Sequence, residues 1–158
     1  MRITVESWDS KSKRLVPRIR RTALKLGRFL RLKDVRIGVI LVGNDFMKKN
    51  VMSFPAPKGF PGPDAKGKYL GEIYLNPDYI AKEGEEWAYM LIHGLLHLLG
   101  YEHKKKGDII RMENKERQLL KLLSNDQIHS RPWCRLPFNK SGGWRIKKEL
   151  QTFVNSGF

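Results

Sequence analysis

The sequence predicts an α/β domain, and three stretches predict it. Residues 35–42 (VRIGVILV) form a dense β-branched run, the composition of a buried strand. Upstream, residues 2–6 alternate polar and apolar at strand period, and apolar residues then recur at helical spacing over about 15–32. Downstream, 83–99 and 107–123 repeat that helical spacing. Strands separated and followed by amphipathic helices are the order of an α/β chain.

The first helix places Leu15, Val16, Ile19, Leu24, Leu26, Phe29 and Leu30 on its apolar side, with Pro17 tolerated near its start. Arg14, Arg18, Arg20, Arg21, Lys25, Arg28 and Arg31 stand between them, so its outer face is cationic. After the strand of 35–42, Gly43-Asn44-Asp45 signals a turn. Pro55, Pro57, Pro61 and Pro63 with Gly59 and Gly62 predict a loop over 53–64, because proline donates no backbone hydrogen bond and breaks helices. Loops of that length in a compact domain are usually functional or disordered. Residues 69–75 (YLGEIYL) resume a strand, and Asn76-Pro77-Asp78 breaks it. The helix over 83–99 is expected to hold Glu83, Glu85 and Glu86 in its first turn, where the helix dipole favours acids, and to stop at Gly100. The helix of 107–123 carries Ile109, Ile110, Met112, Leu119, Leu120, Leu122 and Leu123. Beyond Ser124 periodicity is lost until 144–154, a candidate terminal helix. The expected organisation is one domain over 1–123 and a basic, aromatic-containing extension over 124–158.

Charge narrows the partners. Lys and Arg total 31 against 16 Asp and Glu, a net +15 in 158 residues. Such a surplus favours a polyanion, nucleic acid first and anionic lipid second. The helix of 15–32 and the tail are the candidate surfaces, with Trp133, Trp144 and Phe153 in the tail available to stack on unpaired bases. Packing of those aromatics onto the domain is the alternative. The single cysteine, Cys134, excludes an intramolecular disulfide and a cysteine metal cluster, and argues for a reducing compartment. No stretch is apolar for long enough to span a bilayer, and the N-terminus lacks an apolar signal core, so the expectation is a cytoplasmic protein without a membrane partner.

Three of the four histidines lie in HGLLHLLGYEH, residues 93–103. His93 and His97 are four apart on a helix and project from one face. Gly100 ends the helix and lets the chain return His103 to the same point. Three imidazoles with a fourth tetrahedral position open are the donor set of a catalytic zinc site. Zinc, one ion, is the expected cofactor, although imidazole also suits copper, iron and nickel. The spacing equals that of the metzincin proteases, H-E-x-x-H-x-x-G-x-x-H, but Gly94 stands where their general-base glutamate would be, which leaves peptide hydrolysis without its proton acceptor.

HGLLHLLGYEH resembles the H-G-x-L-H-L-x-G-Y-D-H signature of the YbeY family. In the same order, Asn50-Val51-Met52-Ser53-Phe54-Pro55 is similar to that family's D-V-L-S-F-P, Leu70-Gly71-Glu72-Ile73 to its L-G-D-I, and Met112-Glu113 with Glu116, Leu119 and Leu120 to its M-x-x-x-E-x-x-L. The resemblance covers roughly residues 3–123. It implies a small central mixed sheet flanked by helices around a metal cleft. It also implies a single-strand-specific, metal-dependent endoribonuclease that matures the 3′ end of small-subunit (16S) ribosomal RNA and acts in ribosome quality control. RNA precursor and small ribosomal subunit would then be the partners, and His93, His97 and His103 the metal ligands. Residues 43–49 depart from the family pattern: the segment is short and lacks the arginine that the family carries there. Lys48 and Lys49 are the candidates to meet the scissile phosphate in its place, although an ammonium lacks the two-pronged fork of a guanidinium. Glu102, beside the third histidine, is a candidate general base or a group that orients it; a solvated acid paired with Lys104–Lys106 is the bland alternative. The competing function is a ribosome-associated RNA-binding assembly factor whose metal is structural.

Overall fold

A computed structural model describes residues 1–57 and 67–125. Strand β1 (Arg2–Ser7) buries Ile3 and exposes Arg2, Thr4 and Glu6, as its alternation requires. A 3-10 turn (Lys11–Leu15), capped by the Asp9 carboxylate on the Ser12 amide at 3.1 Å, leads into α1 (Val16–Phe29). Strands β2 (Val35–Leu41), β3 (Val51–Pro55) and β4 (Lys68–Leu75) complete a sheet of order β1-β2-β4-β3. β1, β2 and β4 run parallel and β3 is antiparallel to β4, so the sheet is small and mixed. Three helices follow: α2 (Pro77–Lys82), α3 (Trp87–Leu98) and α4 (Lys106–Asn125).

Two expectations change. The proline-rich loop was expected from Ser53, but Ser53, Phe54 and Pro55 close β3. β3 is an edge strand, so Pro55 at its end removes no bond from the interior of the sheet. Residues 58–64 of that predicted loop lie outside the described residues, as do the tail aromatics and the candidate helix of 144–154. The helix expected over 83–99 is shorter, Trp87–Leu98, and a separate short helix, α2, precedes that stretch. Asn76 caps α2 by accepting from the Tyr79 amide at 3.0 Å, with Pro77 in the first turn. Gly84 then takes the left-handed conformation, φ 69°, and turns the chain. α3 starts only at Trp87, so Glu83, Glu85 and Glu86 precede its first turn instead of filling it.

One face of the sheet is covered. α1 packs on β1, and α3 on β3 and β4, with α4 against α3 and α1. α3 is the central helix and buries Ala88, Met90, Leu91, Ile92, Leu95, Leu96 and Leu98. The opposite face carries Arg2, Thr4, Glu6, Arg36 and Glu72 along a groove, with Phe54 edge-on to Tyr74 at 5.5 Å.

The approach of α3 to the sheet depends on Gly94. A β-carbon there would stand 2.8 Å from Ile73 Cγ2, 2.9 Å from Ser53 Oγ and 3.2 Å from Val51 Cγ2. Ser53 Oγ donates to the Gly94 carbonyl at 3.2 Å, which marks the closeness of the contact. Gly94→Ala is expected to lose about 1–3 kcal/mol of stability, the usual cost of overpacking. Urea unfolding measures it, and an unchanged midpoint would show that the helix can ride outward freely.

Candidate metal centre

The histidines are placed by the end of α3. Its last turn closes with two bonds: Gly100 N–H donates to the His97 carbonyl at 2.9 Å, and Tyr101 N–H to the Leu96 carbonyl at 3.0 Å. With Gly100 at φ 86°, this is the Schellman arrangement that glycine makes easy. It reverses the chain and brings His103 back over His97, with ring centroids 4.9 Å apart. It also presents the Tyr101 carbonyl to His97 Nδ1 at 3.0 Å.

That second contact sets the chemistry. A carbonyl only accepts, so His97 carries its proton on Nδ1 and a lone pair on Nε2. His93 Nδ1 lies 2.7 Å from Glu116 Oε1, and a carboxylate there accepts from the Nδ1–H in the same way. Both Nε2 atoms are left clear of those bonds, and they face each other at 3.1 Å. Ligands 2.0–2.1 Å from a tetrahedral ion stand roughly 3.3 Å apart, so the observed separation suits a shared metal. His103 completes the set: one ligand atom from each of the three histidines lies within 4.8 Å of the others. Each is half-buried. The three residues can hold one ion.

Burial, followed by the neighbouring His93 and His103, pushes His97 down to about 4. Burial and then His93 lower His103 as well. Both shifts favour the neutral imidazole, the form that binds metal.

Glu116 was part of a motif in the sequence but had no role there. It is 5% exposed and holds Tyr89 as well, whose hydroxyl donates to Oε2 at 3.1 Å. The signal was present: Met112, Glu116, Leu119 and Leu123 are the buried stripe of α4, and an acid on such a stripe needs a buried partner. Burial, and then the Glu116 charge, push the Tyr89 hydroxyl up, which keeps it a donor.

The other predicted residues lie on the surface. Lys48 and Lys49 are exposed on the turn between β2 and β3. That turn is pinned by buried Asn76, whose side-chain amide donates to Asn44 Oδ1 at 2.9 Å and to the Met47 carbonyl. Glu102 is exposed and pairs with Lys104 at 3.0 Å. The fourth histidine, His129, lies outside the described residues.

The family model described as Endoribonuclease YbeY matches residues 42–124, which include all three histidines and Glu116. The chain is similar to Endoribonuclease YbeY of Geobacter sulfurreducens, 36% identical over 103 residues that cover 56% of this chain and 68% of the relative. It is 40% identical over 84 residues to that of Halorhodospira halophila, covering 47% of this chain and 53% of the relative. It is 29% identical over 134 residues to that of Geobacter metallireducens, covering 71% and 89% respectively.

Glu116→Gln keeps the shape but removes the charge that makes His93 a strong donor. It is expected to weaken zinc affinity by roughly 10- to 100-fold, read by competition with a chromogenic chelator. Affinity equal to that of the native protein would mean that the carboxylate does not tune the site.

Proposed function

This chain belongs to the endoribonuclease YbeY family, and from that premise we propose that it is a metal-dependent endoribonuclease cutting single-stranded RNA. The observation that carries the proposal is the convergence of His93, His97 and His103, with ligand atoms within 4.8 Å of one another and with Nδ1 of His93 and of His97 already engaged by Glu116 and the Tyr101 carbonyl. His93, His97 and His103 would hold the ion, with zinc as the proposed occupant of three imidazoles and an open fourth position. When bound, such an ion supplies Lewis acidity towards a phosphate oxygen and acidifies water near neutral pH.

The chain's own groups do the rest. Glu116 and the Tyr101 carbonyl keep the Nδ1 protons in place and the two rings aimed. Lys48 and Lys49, on the turn that Asn76 pins, are the proposed contacts for the phosphate where charge develops. Glu102 is the proposed base for the attacking water; its partner Lys104 is exposed and free to yield that contact. The cut breaks one phosphorus–oxygen bond, joins the water oxygen to phosphorus and returns a proton to the leaving sugar oxygen. The proposed substrate is precursor ribosomal RNA, at the 3′ end of the small-subunit species, with ribosome quality control as the setting and the cytoplasm as the place. No helix among the described residues is long and apolar enough to cross a membrane.

The surplus of +15 favours one competitor, an RNA-binding assembly factor whose metal only holds the fold together. His97→Ala separates the two. If the metal is catalytic, the variant stays folded, binds RNA as the native protein does, and loses the cleavage that native protein shows with zinc and loses on chelation. Unfolding of the variant together with RNA cleavage that survives chelation would sink the metal-dependent nuclease.

A further inference from the structure

Between Asp9 and Asp34 the chain contains no acid and ten cations, counting Lys11 to Lys33. The structure shows how they are arranged. Arg14, Arg18, Arg21, Lys25 and Arg28 follow one another at intervals of four, three, four and three residues, which keeps them on one side of α1 and the turn before it. Arg14, Arg18, Arg21 and Arg28 are exposed and Lys25 is half-buried. At 1.5 Å per residue the row is roughly 20 Å long. It is rigidly seated, because the other side of α1 buries Ile19, Ala23 and Leu26 in the core.

The row also touches the helix that carries the site. The Arg18 guanidinium lies over the Trp87 ring, 5.8 Å from its centre, and Trp87 is the first residue of α3. His93 follows six residues later on that helix, roughly 9 Å along its axis.

We propose that this row is a docking strip for the phosphate backbone of base-paired RNA flanking the strand to be cut, an inference that rests on the nuclease reading above. Charge selects a polyanion. A membrane-surface helix would need an exposed apolar face to enter the bilayer. None of the large exposed hydrophobic side chains of the described residues lies on α1, so the strip offers only charge. Single-strand binders rely on exposed aromatic platforms, and α1 presents none. Paired RNA is held instead by contacts to its backbone and shape. The strip therefore binds without reading sequence, and lies outside the residues matched by the family model.

The test compares the full-length native protein with the triple variant Arg14→Gln, Arg21→Gln, Arg28→Gln, checked for an unchanged thermal unfolding midpoint. Binding of a short blunt RNA duplex, followed by fluorescence anisotropy across a salt series, is expected to weaken at least about tenfold, with a salt slope smaller by roughly 2–3. Replacing the same three arginines by lysine is expected to restore most of the slope. The rate of cutting a short unpaired RNA at saturation is expected to be unchanged. Duplex affinity and slope equal to native would overturn the strip. So would an equal loss towards short single strands, or a loss confined to phosphatidylserine vesicles. If the native protein cuts no RNA while the duplex result is as expected, the strip stands and the nuclease reading falls.

Discussion

The seating of α3 on the sheet at Gly94 is the contact on which the rest depends. With no side chain at that position, the helix backbone comes close enough for the Ser53 hydroxyl to reach a helix carbonyl. The closeness fixes the height of α3 between the sheet and α4. His93 therefore meets Glu116 at hydrogen-bond distance, not across a gap. It also explains the departure from the protease pattern. In this fold position 94 faces Ile73, Val51 and Ser53, so a glutamate there would be driven into the sheet and away from the histidines.

Glu116 links packing to chemistry. A buried carboxylate is costly unless its oxygens are paired. Here one oxygen takes His93 and the other Tyr89, both on α3, so the pairing bolts α4 to α3 while it orients a ring. The contact that joins α4 to α3 at Glu116 is thus also the one that orients the His93 ring. For an ion held there, affinity and the stability of the α3–α4 pair would be coupled through one side chain, as expected where a site is built into a core rather than laid on a loop.

The molecule separates two electrostatic tasks. Around the histidines, burial and mutual repulsion keep imidazoles neutral and ready to donate lone pairs. Along α1, full positive charges are held in water, where their attraction for phosphate is long-ranged and sensitive to salt. Arg18 over Trp87 is where the two regions meet.

Much of this was legible in the sequence because it is local. The β-branched run of β2, the amphipathic period of α1 and the four-residue interval between His93 and His97 each follow from backbone geometry alone, as does the turn at Gly100. The chain also carried the ordered motifs that place it in its family. Less legible was whatever depended on a partner distant in sequence. β3 could not be read past its prolines, because only its position at the sheet edge makes Pro55 harmless. Glu83–Glu86 read as a first helical turn, but they connect the short helix that Asn76 caps to α3, with Gly84 turning the chain. Glu116 is 23 residues from His93 and had no role until α4 folded back on α3. From the sequence alone came which side chains can converge on one point, since that is set by helix periodicity and one glycine. Tertiary structure decided how His93 is aimed, because the bond from its Nδ1 to Glu116 forms only when α4 has folded back on α3.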